Sequence, residues 1–137
     1  DDHRGLRDIV EVRITLDKAL AEPVTQTWKN RQDTELDQIV AQMDVHAQKG
    51  ELFTEQDRRF HMRLLEPLDN HLFLHLTEAF WAVHTLTVPL LGAPRPEDML
   101  SAARAHRTML QAARAGDAQA YREAITDHYA PLLAALT

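Results

Sequence analysis

The apolar residues of this chain recur at intervals of three and four, and little in the sequence would interrupt a helix. Only four glycines occur in 137 residues, and none stands in the Asn-Gly or Asp-Gly pair that is typical of a β-hairpin. A spacing of three and four places apolar side chains on one face of an α-helix. One segment shows the pattern with Leu36, Ile39, Val40, Met43 and Ala47. The sequence therefore predicts an all-α fold.

Capping residues and prolines divide the chain into six or seven helices. The predicted helices cover residues 6–20 with a continuation to 28 or 29, 34–50, 54–67, 70–89, 97–115 and 118–136. Asp33 or Thr34, Asn70 and Asp117 are the expected N-caps, and Gly116 is an expected C-terminal stop. Short connections favour antiparallel neighbours, so we expect one domain over residues 1–137, built as an antiparallel helical bundle.

Charge and composition narrow the classes of function. The 21 acidic and 15 basic residues give a formal net charge of -6, and no continuous basic patch is present to grip a phosphate backbone. No apolar run approaches the roughly 20 residues that a membrane span needs. The chain has no cysteine, which excludes disulfides and thiolate metal ligands. With no signal-like segment in the sequence, we expect a cytoplasmic protein.

Four ionisable residues stand near the middle of predicted apolar faces: Asp57, His61, His106 and His128. Asp57 and His61 are one turn apart on the helix 54–67, so their Cβ atoms should lie about 5–6 Å apart. His106 and His128 occupy equivalent core positions on the last two helices. Burying such groups is costly unless they share a partner.

A divalent metal ion is the simplest shared partner for these four residues. Neutral imidazoles and a carboxylate are ligands of Zn²⁺, which we expect first, and also of Ni²⁺, Mn²⁺ or Fe²⁺. Four protein donors would leave a coordination position open to an oxygen of a bound molecule. The alternative is a buried hydrogen-bond network in which Asp57 pairs with the histidines and no metal binds.

Arg13 is a second anomaly, because the apolar face of the first helix is centred almost on it. A buried guanidinium requires a carboxylate. Asp17 lies one turn on and could form a structural ion pair with Arg13. Alternatively, Arg13 binds the carboxylate of a small molecule in the same cavity as the metal.

Several short motifs occur in a specific order along nearly the whole chain. They are Glu11-Val12-Arg13 with Leu16-Asp17, Asp57-Arg58-Arg59-Phe60-His61 with Asn70, Ala105-His106-Arg107, Gly116-Asp117 and His128. This series resembles the C-terminal effector-binding (FCD) domain of FadR-subfamily GntR transcriptional regulators. Asp17 departs slightly from the family, which often has Glu at that position.

The resemblance implies a helical bundle that binds a small metabolite, often a carboxylate, and forms a homodimer. In metal-binding members an Asp and three His hold the ion, and Asp57, His61, His106 and His128 occupy the matching positions. Arg13, and secondarily Asn70, would contact the ligand. Operator DNA would be bound by an N-terminal winged helix-turn-helix, which we expect to be absent from this chain.

Two other classes of function remain open at this point. A small helical metalloenzyme could use the three-His, one-Asp site to activate water, but no further Glu or His on a core face offers a general acid or base. A helical dimerisation module with a purely structural polar core would bind neither metal nor ligand. The sequence favours a sensor domain that is not an enzyme.

Overall fold

The computed structural model of the protein describes residues 4–136, so residues 1–3 and 137 of the predicted domain lie outside the described range. Within it the fold is entirely helical, as the sequence predicted. The helices are α1 Arg4–Ala19, α2 Ala21–Trp28, α3 Thr34–Gln48, α4 Thr54–Leu65, α5 His71–Thr87, a 3-10 helix Val88–Leu91, α6 Pro96–Ala115 and α7 Ala118–Ala135.

Local side-chain and backbone chemistry explains where the helices begin and end. Asp33, Asn70 and Asp117 each accept a hydrogen bond at 3.0 Å from a backbone N–H of the following helix, at Leu36, Leu72 and Ala120 respectively. Gly116 ends α6 in the left-handed conformation with φ 71°, which glycine adopts without a steric penalty. The predicted caps are confirmed at all these positions.

The bundle is centred on α6, which packs against α2, α3 and α7, while α4 packs against α3 and α5. Large side chains that are almost completely buried fill the space between the helices, among them Trp28, Phe60, Met109 and Ile125. Trp28 also donates its indole N–H to the carbonyl oxygen of Leu64 at 2.9 Å. This bond fixes the end of α2 against α4, the helix that carries Asp57 and His61. No helix within residues 4–136 is both long and apolar enough to cross a bilayer.

Helix α5 differs from what its periodicity predicts, since sequence spacing places the stripe through Leu72, Leu76 and Val83 towards the core. In the structure Leu72 is 60% exposed and Leu76 is 39% exposed. The buried residues of α5 are Thr77 and Trp81 instead. The helix has apolar residues on more than one side, and Trp81 contributes more apolar surface to the core than a leucine would. Periodicity alone could not choose between the two faces.

Candidate metal centre and adjoining cavity

The structure brings together the four residues that the sequence singled out. Helix α4 contributes Asp57 and His61 from successive turns, α6 contributes His106, and α7 contributes His128. One ligand atom from each of the four residues lies within 4.8 Å of the others. His106 and His61 are almost completely buried, with exposed fractions of 0% and 5%. This group could hold a metal ion.

The geometry is that of three imidazole nitrogens around one carboxylate oxygen. Asp57 Oδ1 lies 2.7 Å from His106 Nε2, 3.1 Å from His61 Nε2 and 3.4 Å from His128 Nε2. The nitrogens are also close to one another, with His128 Nε2 2.9 Å from His106 Nε2 and 3.1 Å from His61 Nε2. Every one of these atoms is a possible metal ligand.

The Nε2 hydrogens are too few for each of these short contacts to have its own. Each imidazole Nε2 carries at most one hydrogen, and the ionised carboxylate of Asp57 carries none. Three hydrogens therefore have to serve five short N···O and N···N contacts. A single cation among the four atoms would be attracted to all of them at once. The donor set thus fits a metal better than it fits a hydrogen-bond network.

The surroundings of His106 support the same conclusion. Its Nδ1 lies 2.7 Å from the carbonyl oxygen of Ala102, which can only accept, so Nδ1 carries a hydrogen. In the neutral ring this leaves a lone pair on Nε2, directed at Asp57. Metal-binding histidines commonly donate their other N–H to a backbone carbonyl in this way. The Nδ1 of His128, in contrast, is buried without a hydrogen-bond partner.

Burial and the neighbouring side chains shift the pKa values of Asp57 and His128. When no metal is bound, burial by itself would raise the pKa of Asp57, but the charge of His106 and hydrogen bonds from the three histidines hold that pKa well below its usual range. Burial, followed by the charge of His106, lowers the pKa of His128 to about 3. An ionised carboxylate beside a neutral imidazole is the protonation state that a divalent metal requires of its ligands.

Arg13 lies close to this centre, and it does not form the ion pair with Asp17 that was one of the two sequence alternatives. The side chain is 4% exposed, and its guanidinium stands over the rings of Trp81 and Tyr129, 4.8 Å and 5.1 Å from their centroids. Asp17 does not pair with it; its Oδ2 accepts a 2.6 Å hydrogen bond from the Tyr129 hydroxyl. Among residues 4–136, no carboxylate forms an ion pair with Arg13. A buried cation without a carboxylate is costly to maintain.

His84 is the polar partner of Arg13. The Arg13 guanidinium nitrogen Nη1 lies 3.1 Å from His84 Nδ1, and the centroid of the His84 ring lies 4.5 Å from that of Trp81. Burial, followed by the charge of Arg13, lowers the pKa of His84 to about 4. The sequence does not decide whether His84 and Trp81 line a pocket or a dimer surface. Their shared face with Thr77, at spacings of four and three, was the signal that could have placed them inwards.

A cavity of about 660 Å³ opens beside the cluster and is bordered by Asp57, His84, His128 and Tyr129. The rest of its wall is largely apolar and comes from α6, α7 and the 3-10 helix, including Val88, Leu91, Met99, Pro131 and Leu132. This volume lies within the range of pockets that hold small molecules, roughly 300–1,000 Å³. The metal-binding group therefore faces a space that could hold a ligand.

Asn70 lies apart from this cavity. It caps α5, is exposed, and borders a separate groove together with Pro23, Gln26 and Phe73. Sequence spacing places His71 and His75 off the stripe through Leu72 and Leu76 and so predicts that they are surface residues. Both are exposed on α5.

Comparisons with known proteins agree with this architecture. The chain matches a family model described as the FCD domain over residues 8–131. It is 51% identical over 86 residues to a protein of Micromonospora viridifaciens named "Putative transcriptional regulatory protein NedR", and the match covers 63% of this chain and 62% of that protein. The matched region thus spans less than two thirds of the relative. No solved structure matches the chain significantly.

Proposed function

Because the chain belongs to the FCD domain family, we propose that it is the ligand-sensing domain of a bacterial transcriptional regulator of the FadR subfamily of GntR proteins. The family match and the regulatory name of the relative support a sensor and not an enzyme. The observation that carries the proposal is the convergence of three imidazole nitrogens and one carboxylate oxygen beside a cavity. Operator DNA would be bound by a separate winged helix-turn-helix domain of the full regulator.

Asp57, His61, His106 and His128 are the proposed metal ligands. Zn²⁺ is the first candidate because the donors are nitrogen and oxygen, and Ni²⁺, Mn²⁺ and Fe²⁺ accept the same set. A bound divalent cation would offer an open coordination position to an oxygen atom of the ligand. The protein side chains orient that position, since Asp57 and His128 border the cavity while His61 and His106 are buried behind them.

The proposed ligand is a small carboxylate. Arg13 has no carboxylate partner among the described residues, and a ligand carboxylate would compensate its charge. We propose that Arg13 belongs to the ligand site, whereas the role of Asn70 as helix cap accounts for its side chain. A ligand held between the metal centre and the hydrogen-bonded pair of His84 and Arg13 would connect α4 and α7 with α5 and α1.

This connection supplies a mechanism for regulation. A ligand that binds one arrangement of the helices more tightly shifts the population towards that arrangement, and a few kcal/mol of differential affinity would change operator occupancy greatly. In the full-length regulator we expect the ligand to change operator affinity, and we expect His106→Ala to abolish that response. An operator affinity that does not change when the metal and a ligand bind would contradict the mechanism.

We further propose a homodimer that uses the exposed face of α5. Leu72, Leu76 and Leu86 lie on one stripe of α5, and Leu90 continues it in the 3-10 helix; Leu86 is 76% and Leu90 is 80% exposed. No lysine or arginine occurs between Arg63 and Arg95. An apolar face without cations suits a second copy of itself better than a charged partner, because homodimer interfaces are depleted of charge.

Sedimentation equilibrium tests the dimer. We expect the domain to have twice the chain mass of 15.6 kDa, and Leu86→Glu to reduce it to the monomer mass. Val45→Glu on α3 is the matched control, since Val45 is an exposed apolar residue outside the stripe. A monomeric wild-type domain, or a dimer that survives Leu86→Glu, would contradict this interface.

Metal content tests the central proposal. We expect the purified domain to contain about one divalent ion per chain by mass spectrometry, and His106→Ala to lose it. His71→Ala is the control, because His71 is an exposed histidine outside the cluster. If the domain binds none of Zn²⁺, Ni²⁺, Mn²⁺ and Fe²⁺, the proposal is wrong and the four residues form a structural hydrogen-bond network instead.

A further inference from the structure

The cavity is polar at its buried end and largely apolar elsewhere. Asp57, His84 and His128 form the buried polar part, whereas Arg95 and Asp98 stand at the solvent side, where the Arg95 side chain is 70% exposed. The rest of the wall is mainly apolar and includes Val88, Leu91, Met99, Ala102 and Leu132. A ligand that fills the space would meet polar groups at one end and hydrocarbon along most of its length.

Charge determines how many carboxylates the ligand can carry. At the solvent side Arg95 is already paired, with Glu97 at 3.4 Å and Asp98 at 3.3 Å. Behind His84, at the buried end, Arg13 is a cation that has no carboxylate partner among residues 4–136. A second carboxylate near Asp98 would be repelled by it and would find no free cation. The cavity therefore suits a molecule with one carboxylate, placed at the buried end.

Arg13 itself is not among the residues that border the cavity, and His84 stands between the two. The arginine is always protonated and can only donate, so His84 Nδ1 must accept the 3.1 Å hydrogen bond. A neutral ring that accepts at Nδ1 carries its hydrogen at Nε2. No described residue accepts that hydrogen. The tautomer of His84 is thus set by Arg13, and the Nε2–H is free to donate to a ligand.

We propose that the cavity binds a monocarboxylate with a mainly apolar body, and that His84 donates its Nε2–H to the carboxylate while Arg13 holds the ring in position. The inference rests on the proposed sensor function and specifies its ligand class. His84 contacts the ligand directly, and Arg13 is a positioning residue that also supplies the compensating charge. The lowered pKa of His84 is consistent with a ring that stays neutral at physiological pH.

Calorimetric titration with octanoate tests the ligand class. Octanoate has one carboxylate and an unbranched apolar chain, and octanamide is the matched neutral probe. We expect octanoate to bind the domain at least about tenfold more tightly than octanamide, because only the anion compensates Arg13. The titration is performed both on protein loaded with Zn²⁺ and on protein from which a chelator has removed the metal. Equal affinity for the two probes, or no binding of octanoate to either form, would overturn the proposed ligand class.

Substitution of His84 tests the contact. His84→Phe removes both ring nitrogens, and we expect it to weaken octanoate binding about tenfold or more. His84→Gln is the rescue variant, since its amide can accept from Arg13 and donate to the ligand; its affinity should stay within about threefold of wild type. His71→Phe, at the far end of the same helix, is the control. Unchanged affinity in His84→Phe would overturn the role of His84.

The tautomer can be observed without any ligand. A long-range ¹H–¹⁵N correlation spectrum of histidine-labelled protein should show His84 with hydrogen on Nε2 and a bare Nδ1, and Arg13→Met should remove that preference. Hydrogen on Nδ1 in the wild-type spectrum would overturn the proposal. Failure of the metal site would instead appear as an absence of bound metal in the mass spectrum, so the two hypotheses fail by different measurements.

Discussion

Arg13→Met separates a ligand-binding arginine from a structural one. Methionine has a similar length and keeps the helix and the packing of the stem, but it removes the buried charge. In the structure the guanidinium donates one hydrogen bond to the neutral ring of His84, at 3.1 Å. It also stands over the rings of Trp81 and Tyr129, 4.8 Å and 5.1 Å from their centroids. A structural arginine would instead be expected to have a carboxylate, and Asp17 is bonded to Tyr129.

Opposing contributions determine how much Arg13→Met changes the free energy of unfolding. The substitution loses a charge-assisted hydrogen bond, worth about 1.5–3 kcal/mol, and two cation–π contacts of about 1–2 kcal/mol each. It also removes the desolvation penalty of a buried ion, which is several kcal/mol. These terms are of similar size, so we expect the free energy of unfolding to change by less than about 2 kcal/mol. Breaking a buried ion pair would cost about 3–5 kcal/mol.

Urea unfolding of the ligand-free domain, followed by circular dichroism, measures this difference. In thermal unfolding, 2 kcal/mol corresponds to a shift of roughly 6–10 °C for a domain of this size. Arg63→Met is the control for the substitution itself: Arg63 pairs with Asp33 and Glu35, both at 2.9 Å, and is partly exposed, so its loss should cost about 1 kcal/mol or less. A loss of 3 kcal/mol or more in Arg13→Met would refute the argument and make Arg13 structural.

Three further predictions concern other parts of the bundle. Tyr129→Phe leaves the Asp17 carboxylate without its 2.6 Å hydrogen bond, and we expect a loss of about 1–3 kcal/mol in urea unfolding; an unchanged midpoint would show that water replaces the bond. The folded-state pKa of His84 lies at about 4, below its unfolded value of 6.5, so its stabilising contribution is complete above pH 6.5 and is lost as the pH falls towards 4. Between pH 6.5 and pH 4 the free energy of unfolding of the wild type should fall by up to about 3 kcal/mol more than that of His84→Gln, as measured by urea unfolding at each pH. If the two proteins lose stability in parallel, the prediction is wrong. Gly116→Ala should lower the melting temperature by a few degrees, because φ is 71° and the new Cβ would lie 2.9 Å from Lys29 Cδ; an equal melting temperature would show that the turn tolerates alanine.

Much of the candidate site was accessible from the sequence because its signals are local. The pair Asp57 and His61 needs only the helical period to share a face, and His106 and His128 stand out because they interrupt apolar stripes. The same reasoning predicted the caps at Asp33, Asn70 and Asp117, which the structure confirms, because each depends on residues within three positions. It was less successful for α5, where more than one face is apolar and the neighbours of the helix determine which one is buried.

The sequence by itself thus determined the helices, their ends and which ionisable side chains must be enclosed, because helix geometry relates residues that are close along the chain. Only the tertiary structure decided which side chains meet across helices. Asp17 bonds to Tyr129 and not to Arg13, which is one turn away, and Arg13 reaches His84 on α5. The position of His84 between Arg13 and the cavity likewise depends on how α1, α5 and α7 pack. Such contacts join residues 71 or more positions apart, and no local period specifies them.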